Sequence, residues 1–346
     1  AVAQWYLWDD TVVLTGTWRK DKQQTASQGA PGDPVIPEAE NVFDPQFVRG
    51  PVNPVVNANE QTRSWSVMIH TPDFIKEFLP WGTEISLYKS DASNFQPSGD
   101  RVNVFNEQID SVTGSTIEQG FILSTLNGKL NIRANWYETG VLNQSFDVGG
   151  VSASEGILLG LVRQLNNPNN AGFSAADVQA ALPPQGVLDV NGFVWDGVSD
   201  DADTNRKSSD NGTQDFTSEG NEIEITYNPN PRWTMLLAIS RQETITANTY
   251  PVLSQYVQDF VEPGWVNSNL AKNYFIDDQG ITLAQAATDR IVTPVARAQT
   301  QDGIPQIEQR EWRYNFNTSY NFGRDNQMIP GFLGNLTVGG GFRWQD

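Results

Sequence analysis

The sequence predicts an all-β protein: an antiparallel transmembrane β-barrel, present in part as about ten strands of a larger barrel, with long extracellular loops containing short helices. Three observations predict it. Apolar and polar residues alternate with a period of two in many separate segments. Short and long connections alternate down the chain. Tryptophans cluster toward the ends of the alternating segments.

Composition narrows the class. The chain has 346 residues, of which 38% are hydrophobic and 11% aromatic, and 11 are Trp. Disordered chains are poor in aromatics, so simple disorder does not fit. With 22 Lys+Arg against 41 Asp+Glu, the net charge of 22 − 41 = −19 argues against nucleic acid as a partner. The absence of Cys removes disulfide frameworks, thiolate metal sites and cysteine nucleophiles together. The longest apolar runs, such as Ile157 to Val162, fall far short of the roughly 18 residues of a helical span.

The clearest strand runs from Glu311 to Phe322. Trp312, Tyr314, Phe316, Thr318, Tyr320 and Phe322 alternate there with Arg313, Asn315, Asn317, Ser319 and Asn321. A pleated strand sends these two sets to opposite faces. From Lys129 to Tyr137, Leu130, Ile132, Ala134 and Trp136 oppose Asn131, Arg133, Asn135 and Tyr137. Ile223, Ile225 and Tyr227 oppose Glu222, Glu224 and Thr226, and Trp233, Met235, Leu237 and Ile239 share one face. The same pattern marks Ala1–Trp8, Thr11–Arg19, Arg63–His70, Thr83–Ser90, Glu118–Leu126 and Asn335–Gln345. Most of these segments approach the nine to eleven residues that cross a tilted barrel wall, whereas soluble strands are usually about five to six.

The short connections carry turn chemistry. Asp9-Asp10 reads as a tight turn and Asn127-Gly128 as a two-residue hairpin. In Asn228-Pro229-Asn230-Pro231 the prolines predict the end of a ladder. Thr71–Gly82 and Gly323–Gly334 are moderately short. Between these lie long segments: Lys20 to Thr62, Asp91 to Ile117, Glu138 to Gly220, and Glu243 to Arg310. Compact soluble domains rarely hold loops beyond about 12–15 residues, whereas barrels with short periplasmic turns and long extracellular loops do so routinely. On that assignment Trp8, Trp81 and Trp233 fall at the periplasmic rim, and Trp18, Trp65, Trp136, Trp312 and Trp344 at the opposite strand ends. Indole rings favour the headgroup level, where an apolar ring and one N–H donor are both satisfied. A soluble β-sandwich core is the alternative home for these rings.

The long loops contain helices. Ser174-Ala175-Ala176-Asp177 opens a capped helix that Pro183-Pro184 stops, and Val252–Val261 and Leu283–Val292 read as short helices.

Chemistry-bearing constellations are sparse. His70 is the single histidine, on one strand face with Ser64, Ser66 and Met68, and it reads as a wall residue. Asp201, Asp203 and Asn205 have the alternate spacing of a calcium loop. Arg206 and Gly212 then stand where that loop needs Gly and Glu, so a solvated acidic loop fits better. Glu222 and Glu224 share a face and have the spacing of a glycosidase carboxylate pair, but lumen lining explains them without catalysis. Gly339-Gly340-Gly341 lacks a following helix and marks a bend or close approach within a strand. No catalytic set, metal site or cofactor is indicated.

Several hairpin phrases carry a family resemblance. They include Leu87-Tyr88-Lys89-Ser90 with Asn94-Phe95-Gln96-Pro97-Ser98, and Asn127-Gly128-Lys129-Leu130 leading to Asn135-Trp136-Tyr137-Glu138-Thr139. Glu219-Gly220, Glu222-Ile223-Glu224-Ile225 and Asn228-Pro229-Asn230-Pro231-Arg232-Trp233 continue the series. Trp312-Arg313-Tyr314-Asn315 and Gly340-Gly341-Phe342-Arg343-Trp344 complete it. In these the chain resembles the β-barrel portion of TonB-dependent outer-membrane receptors. The resemblance implies a barrel of about 22 strands closed by an N-terminal plug, of which residues 1–346 would be an internal piece lacking plug, TonB box and C-terminal strands.

The expected function follows from that resemblance: energy-coupled uptake of a scarce solute across the bacterial outer membrane, with ferric siderophores foremost. Its partners would be outer-membrane lipid, the TonB complex through an N-terminal region, and the small-molecule ligand. Trp195, Trp265 and Tyr274, in the longest loops, are the candidate ligand contacts, with packing against neighbouring loops as the alternative. Arg133, Glu222, Glu224 and Arg313 are expected to face the lumen, where the arginines could pair with the glutamates. A passive porin, or a soluble secreted β protein that binds or cleaves glycans, are the competing functions. An upstream plug would exclude the first, and dependence on detergent or lipid the second.

Overall fold

The computed structural model describes residues 1–25, 56–96, 101–146, 153–204, 212–306, 309–323 and 336–346. Among the described residues, ten strands form one antiparallel sheet in which each pairs with the sheet strands before and after it in the chain. They are β1 (Val2–Leu7), β2 (Val12–Thr25), β3 (Val56–His70), β4 (Glu84–Gln96), β5 (Val112–Thr125) and β6 (Leu130–Phe146). A two-stranded hairpin, β7 (Phe193–Trp195) with β8 (Ala202–Thr204), interrupts the series. The sheet then resumes with β9 (Gly212–Asn230), β10 (Trp233–Ala247), β11 (Trp312–Asn321) and β12 (Thr337–Gln345). All ten alternating segments are therefore strands, in the up-and-down order of a barrel wall.

The register places every predicted apolar set on one face. Leu14 opposes Trp5 and Val67, Leu87 opposes Ile69 and Phe121, and Ile132 opposes Leu123 and Ile225. Leu237 then opposes Ile225 and Phe316, which opposes Phe342. These side chains are open to their surroundings: Trp65 is 47% exposed, Leu87 54% and Phe342 62%. A contiguous apolar face of this extent is untenable in water and is the surface a lipid bilayer covers.

Seven of the strands run past the predicted length, β6 with 17 residues and β9 with 19, while β1, β11 and β12 stay within it. Alternation of polarity stops where lipid contact would stop, but backbone pairing continues, with Ser218 opposite Thr244 and Thr139. Two turns also differ from expectation. The β5–β6 connection is a four-residue turn, with Thr125 paired to Leu130 and left-handed φ at Leu126, Asn127 and Gly128. β9 continues past Pro229 to Asn230, because a register irregularity between Trp233 and Met235 absorbs the proline's missing donor.

Glycines admit large neighbours on the polar face. Tyr88 lies directly across from Gly120, and Tyr137 from Gly220. A Cβ built on Gly220 would stand 2.5 Å from the Tyr137 ring.

The packed core lies outside the sheet. Helices α2 (Ala153–Arg163), α3 (Ala175–Ala180), α4 (Gln185–Asn191), α5 (Pro251–Tyr256), α6 (Asn269–Asn273), α7 (Leu283–Ala287) and α8 (Thr293–Gln299) form one body at the long-loop ends of the strands. Wider π turns extend α5 over Val257–Val266 and α7 over Thr288–Val292, covering the two helices predicted there. The predicted N-terminus of α3 has its capping box, with Ser174 and Asp177 bonded reciprocally. The largest fully buried side chains, among them Ile157, Leu161, Tyr256 and Trp265, all belong to this body. It is anchored on the wall: the Tyr250 ring packs against Phe146 of β6 at 5.4 Å, tilted by 34°, and Tyr250 N–H donates to the Thr213 carbonyl of β9 at 2.8 Å.

Candidate functional site

The polar face of the wall carries a continuous row across the strands. Met68, Tyr88, Gly120, Asn135, Glu222, Ser240 and Arg313 are successive register partners from β3 to β11. One step away, Arg133 lies opposite Glu224. The structure thus puts Arg133, Glu222, Glu224 and Arg313 on one face, all exposed there.

The pairing is more local than expected. Arg133 Nη2 lies 3.4 Å from Glu118 Oε1, and its guanidinium carbon sits 5.7 Å over the Tyr88 ring. Tyr88 Oη approaches Asn135 Oδ1 at 3.1 Å and Glu118 Oε1 at 3.4 Å. The carboxylate that meets Arg133 in an ion pair is therefore Glu118, two strands from Glu224 and not among the expected partners. Arg133, Glu118, Asn135, Tyr137, Thr116, Glu222 and Glu224 line a concavity of about 350 Å³. With three carboxylates, one guanidinium, one phenol and one carboxamide, the cluster can bind polar or cationic groups by hydrogen bonds and charge. His70 shares the face, its Nδ1 2.8 Å from Ser86 Oγ.

The loop aromatics occupy a different setting. Trp265 is fully buried, its indole N–H donating to the Ala181 carbonyl at 2.7 Å. Tyr274 is fully buried too, and its hydroxyl donates to the Leu161 carbonyl at 2.6 Å. Burial pushes the Tyr274 phenol up to about 12 and raises Tyr256 as well. Trp265 and Tyr274, expected as ligand contacts, pack inside the loop body, each with its one polar donor bonded to backbone. Trp195, on β7, is half-buried, and its indole N–H donates to the Ser199 carbonyl at 2.7 Å. Within that turn, backbone N–H groups of Ser199 and Val198 hold the Asp196 carboxyl below its usual range. Asp203 lies in β8 beside it, while Asn205 and Arg206 of the calcium-like spacing lie outside the described residues.

A second polar feature escaped the sequence reading. On the outward face, two residues beyond the register row that holds Trp136 and Trp312, Glu138, Glu219 and Glu243 are direct register partners on β6, β9 and β10. Like charges directly opposite are destabilising in isolation. Arg241 offsets part of this, reaching Glu243 at 3.5 Å and Glu311 at 2.6 Å. The signal was present as residue parity, but which strands become neighbours across the 147–211 segment is a property of the fold.

No protein-family model and no curated protein matches the chain. Among solved structures it is similar to the alcaligin outer membrane receptor FauA of Bordetella pertussis, with 15% identity and a TM-score of 0.45 over 99% of this chain and 36% of that one. It is similar to the ferripyoverdine receptor of the outer membrane of Pseudomonas aeruginosa, with 13% identity and a TM-score of 0.47 over 99% of this chain and 27% of that one. The ferric-catecholate import receptor Fiu of E. coli K12 matches at 13% identity and a TM-score of 0.38, over 96% of this chain and 32% of that one. The chain spans about a third of the length of these proteins.

Proposed function

We propose that this chain forms part of the wall of an outer-membrane importer that takes up a scarce solute with energy from the TonB complex, and that the first solute class to test is a ferric siderophore. The observation that carries the membrane-wall reading is the segregation of faces: ten strands in register present apolar side chains outward and a row of charged and amide side chains inward. Passage along such a row is a matter of binding and release, since its side chains can exchange hydrogen bonds with a polar solute. The folded loop body at one end of the wall supports solute capture, and Trp195 is the aromatic of the original three that keeps an accessible edge.

The test is uptake. A strain lacking the gene is compared with its parent for accumulation of radiolabelled ferric catecholates and ferric hydroxamates, each with and without a protonophore. The expected result is loss of one siderophore class, and loss of the same uptake in the parent when the protonophore is added. Unchanged uptake of every class would remove the siderophore, and gene-dependent uptake that persists under the protonophore would make the wall a passive pore.

A further inference from the structure

The connection between β3 and β4 is unlike the other described turns at that end of the wall. It holds a short helix, α1 (Asp73–Lys76), followed by Glu77, Phe78 and Leu79 and a tight turn at Pro80–Gly82. Within it Phe74 is 69% exposed, Phe78 85% and Trp81 67%, so large apolar side chains are concentrated where a water-facing turn would be polar.

The segment is nevertheless fixed in place. Thr71 Oγ1 donates to the Ile85 carbonyl at 2.8 Å, and Asn127 N–H donates to the Trp81 carbonyl at 2.7 Å, tying it to β4 and to the β5–β6 turn. Its orientation follows from charge. Lys76 Nζ reaches Asp73 Oδ1 at 3.1 Å and Glu84 Oε1 at 3.3 Å. Glu84 pairs in register with Ser124 on the polar face of the wall. Asp73 and Lys76 therefore turn inward, and at about 100° per residue Phe74 and Ile75 leave the helix on the opposite side. That side continues the outward stripe of Ile69, Ile85 and Leu87 on the flanking strands.

We propose that this connection is an interfacial anchor, whose Phe74, Phe78 and Trp81 side chains enter the headgroup–acyl boundary of the adjacent leaflet. The occupant is a zwitterionic glycerophospholipid surface. Continuity with the lipid-facing stripe argues for lipid. Asp73, Lys76 and Glu77 together carry a net negative charge, so attraction to anionic lipid does not drive the insertion. This inference rests on the membrane-wall reading.

The test exploits the absence of cysteine from the chain. In the protein produced in full from its gene, with any cysteine outside this chain replaced, single variants Phe78→Cys, Glu77→Cys and Phe342→Cys are spin-labelled and refolded into phosphatidylcholine vesicles. Accessibility to oxygen is compared with accessibility to a water-soluble nickel chelate. The expected result is oxygen exceeding the chelate several-fold at Phe78 and at Phe342, with the ratio reversed at Glu77. A chelate-accessible label at Phe78, with Phe342 in lipid, would overturn the anchor and leave the wall reading intact. A label at Phe78 shielded from both reagents would overturn it in favour of a protein contact. A chelate-accessible label at Phe342 would overturn the wall reading itself. Because Phe78 makes little contact with the rest of the chain, the double variant Phe74→Ser/Phe78→Ser should fold, and should lose the immersion of a label placed at Trp81→Cys.

Discussion

Leu237→Arg is the sharpest perturbation the wall offers. Leu237 lies on the outward face of β10 between Ile225 and Phe316, four residues from Trp233 at one rim and four from Arg241, whose register partner is Trp312, at the other. At about 3.3 Å per residue it stands roughly 13 Å along the strand from either aromatic level, at the middle of the apolar band. An arginine at that depth costs about 2–4 kcal/mol in a membrane barrel, a drop of about 30- to 900-fold in the folding equilibrium. Asn317→Arg is the internal comparison. Asn317 faces the polar side, opposite Leu236 and Gly341, where a guanidinium stays solvated and the expected change is under about 1 kcal/mol. Both variants are made in the protein produced in full from its gene, refolded into phospholipid vesicles and unfolded with urea, following tryptophan emission and heat-modifiable gel mobility. Equal losses at the two sites, or a larger loss at Asn317, would refute the assignment of faces.

Three further outcomes are expected. Trp265→Ala empties the centre of the loop body and should cost it about 3–5 kcal/mol; limited proteolysis should then cut residues 251–299 while the strand wall stays protected. Gly220→Val forces a side chain into the Tyr137 ring, with an expected loss of about 1–3 kcal/mol in urea titration, and adding Tyr137→Ala should recover part of it. Tyr274 has a folded-state value raised above its unfolded one, so its neutral form stabilises the loop body fully below about 10, and that contribution falls as pH rises toward about 12. Protease resistance of the body should drop across that window in step with tyrosinate absorbance, and Tyr274→Phe should flatten the transition.

The wall was legible in the sequence because strand geometry is local. Side chains on a pleated strand alternate with a period of two, and a bilayer on one side with water on the other writes that period into residue type. The segment from Trp312 to Phe322 could be assigned to faces before any partner was known, and Arg133, Glu222, Glu224 and Arg313 followed by parity. Parity does not say which carboxylate meets which arginine. Glu118 meets Arg133 because β5 and β6 are neighbours and the side chain leans along the strand past its direct partner, Ile122. Strand length was only partly legible, since beyond the lipid boundary the backbone keeps pairing without any demand on polarity.

The loop body was the larger omission. Its helices could be recognised singly, from the Ser174–Asp177 cap and the prolines that follow, and Ile157 to Val162 stood out as an apolar run. Their assembly could not. Trp265 looks the same in a sequence whether it faces a solute or closes a core, and the choice rests on Ala181, 84 positions away, accepting its indole N–H. Tyr274 depends likewise on Leu161, 113 positions away. What the sequence by itself determined is the pleated, two-faced wall, because each strand meets lipid and lumen directly and one residue at a time. Only the tertiary structure decided which loop aromatics are buried, because burial is set by distant segments closing on one another, and no local periodicity encodes that closure.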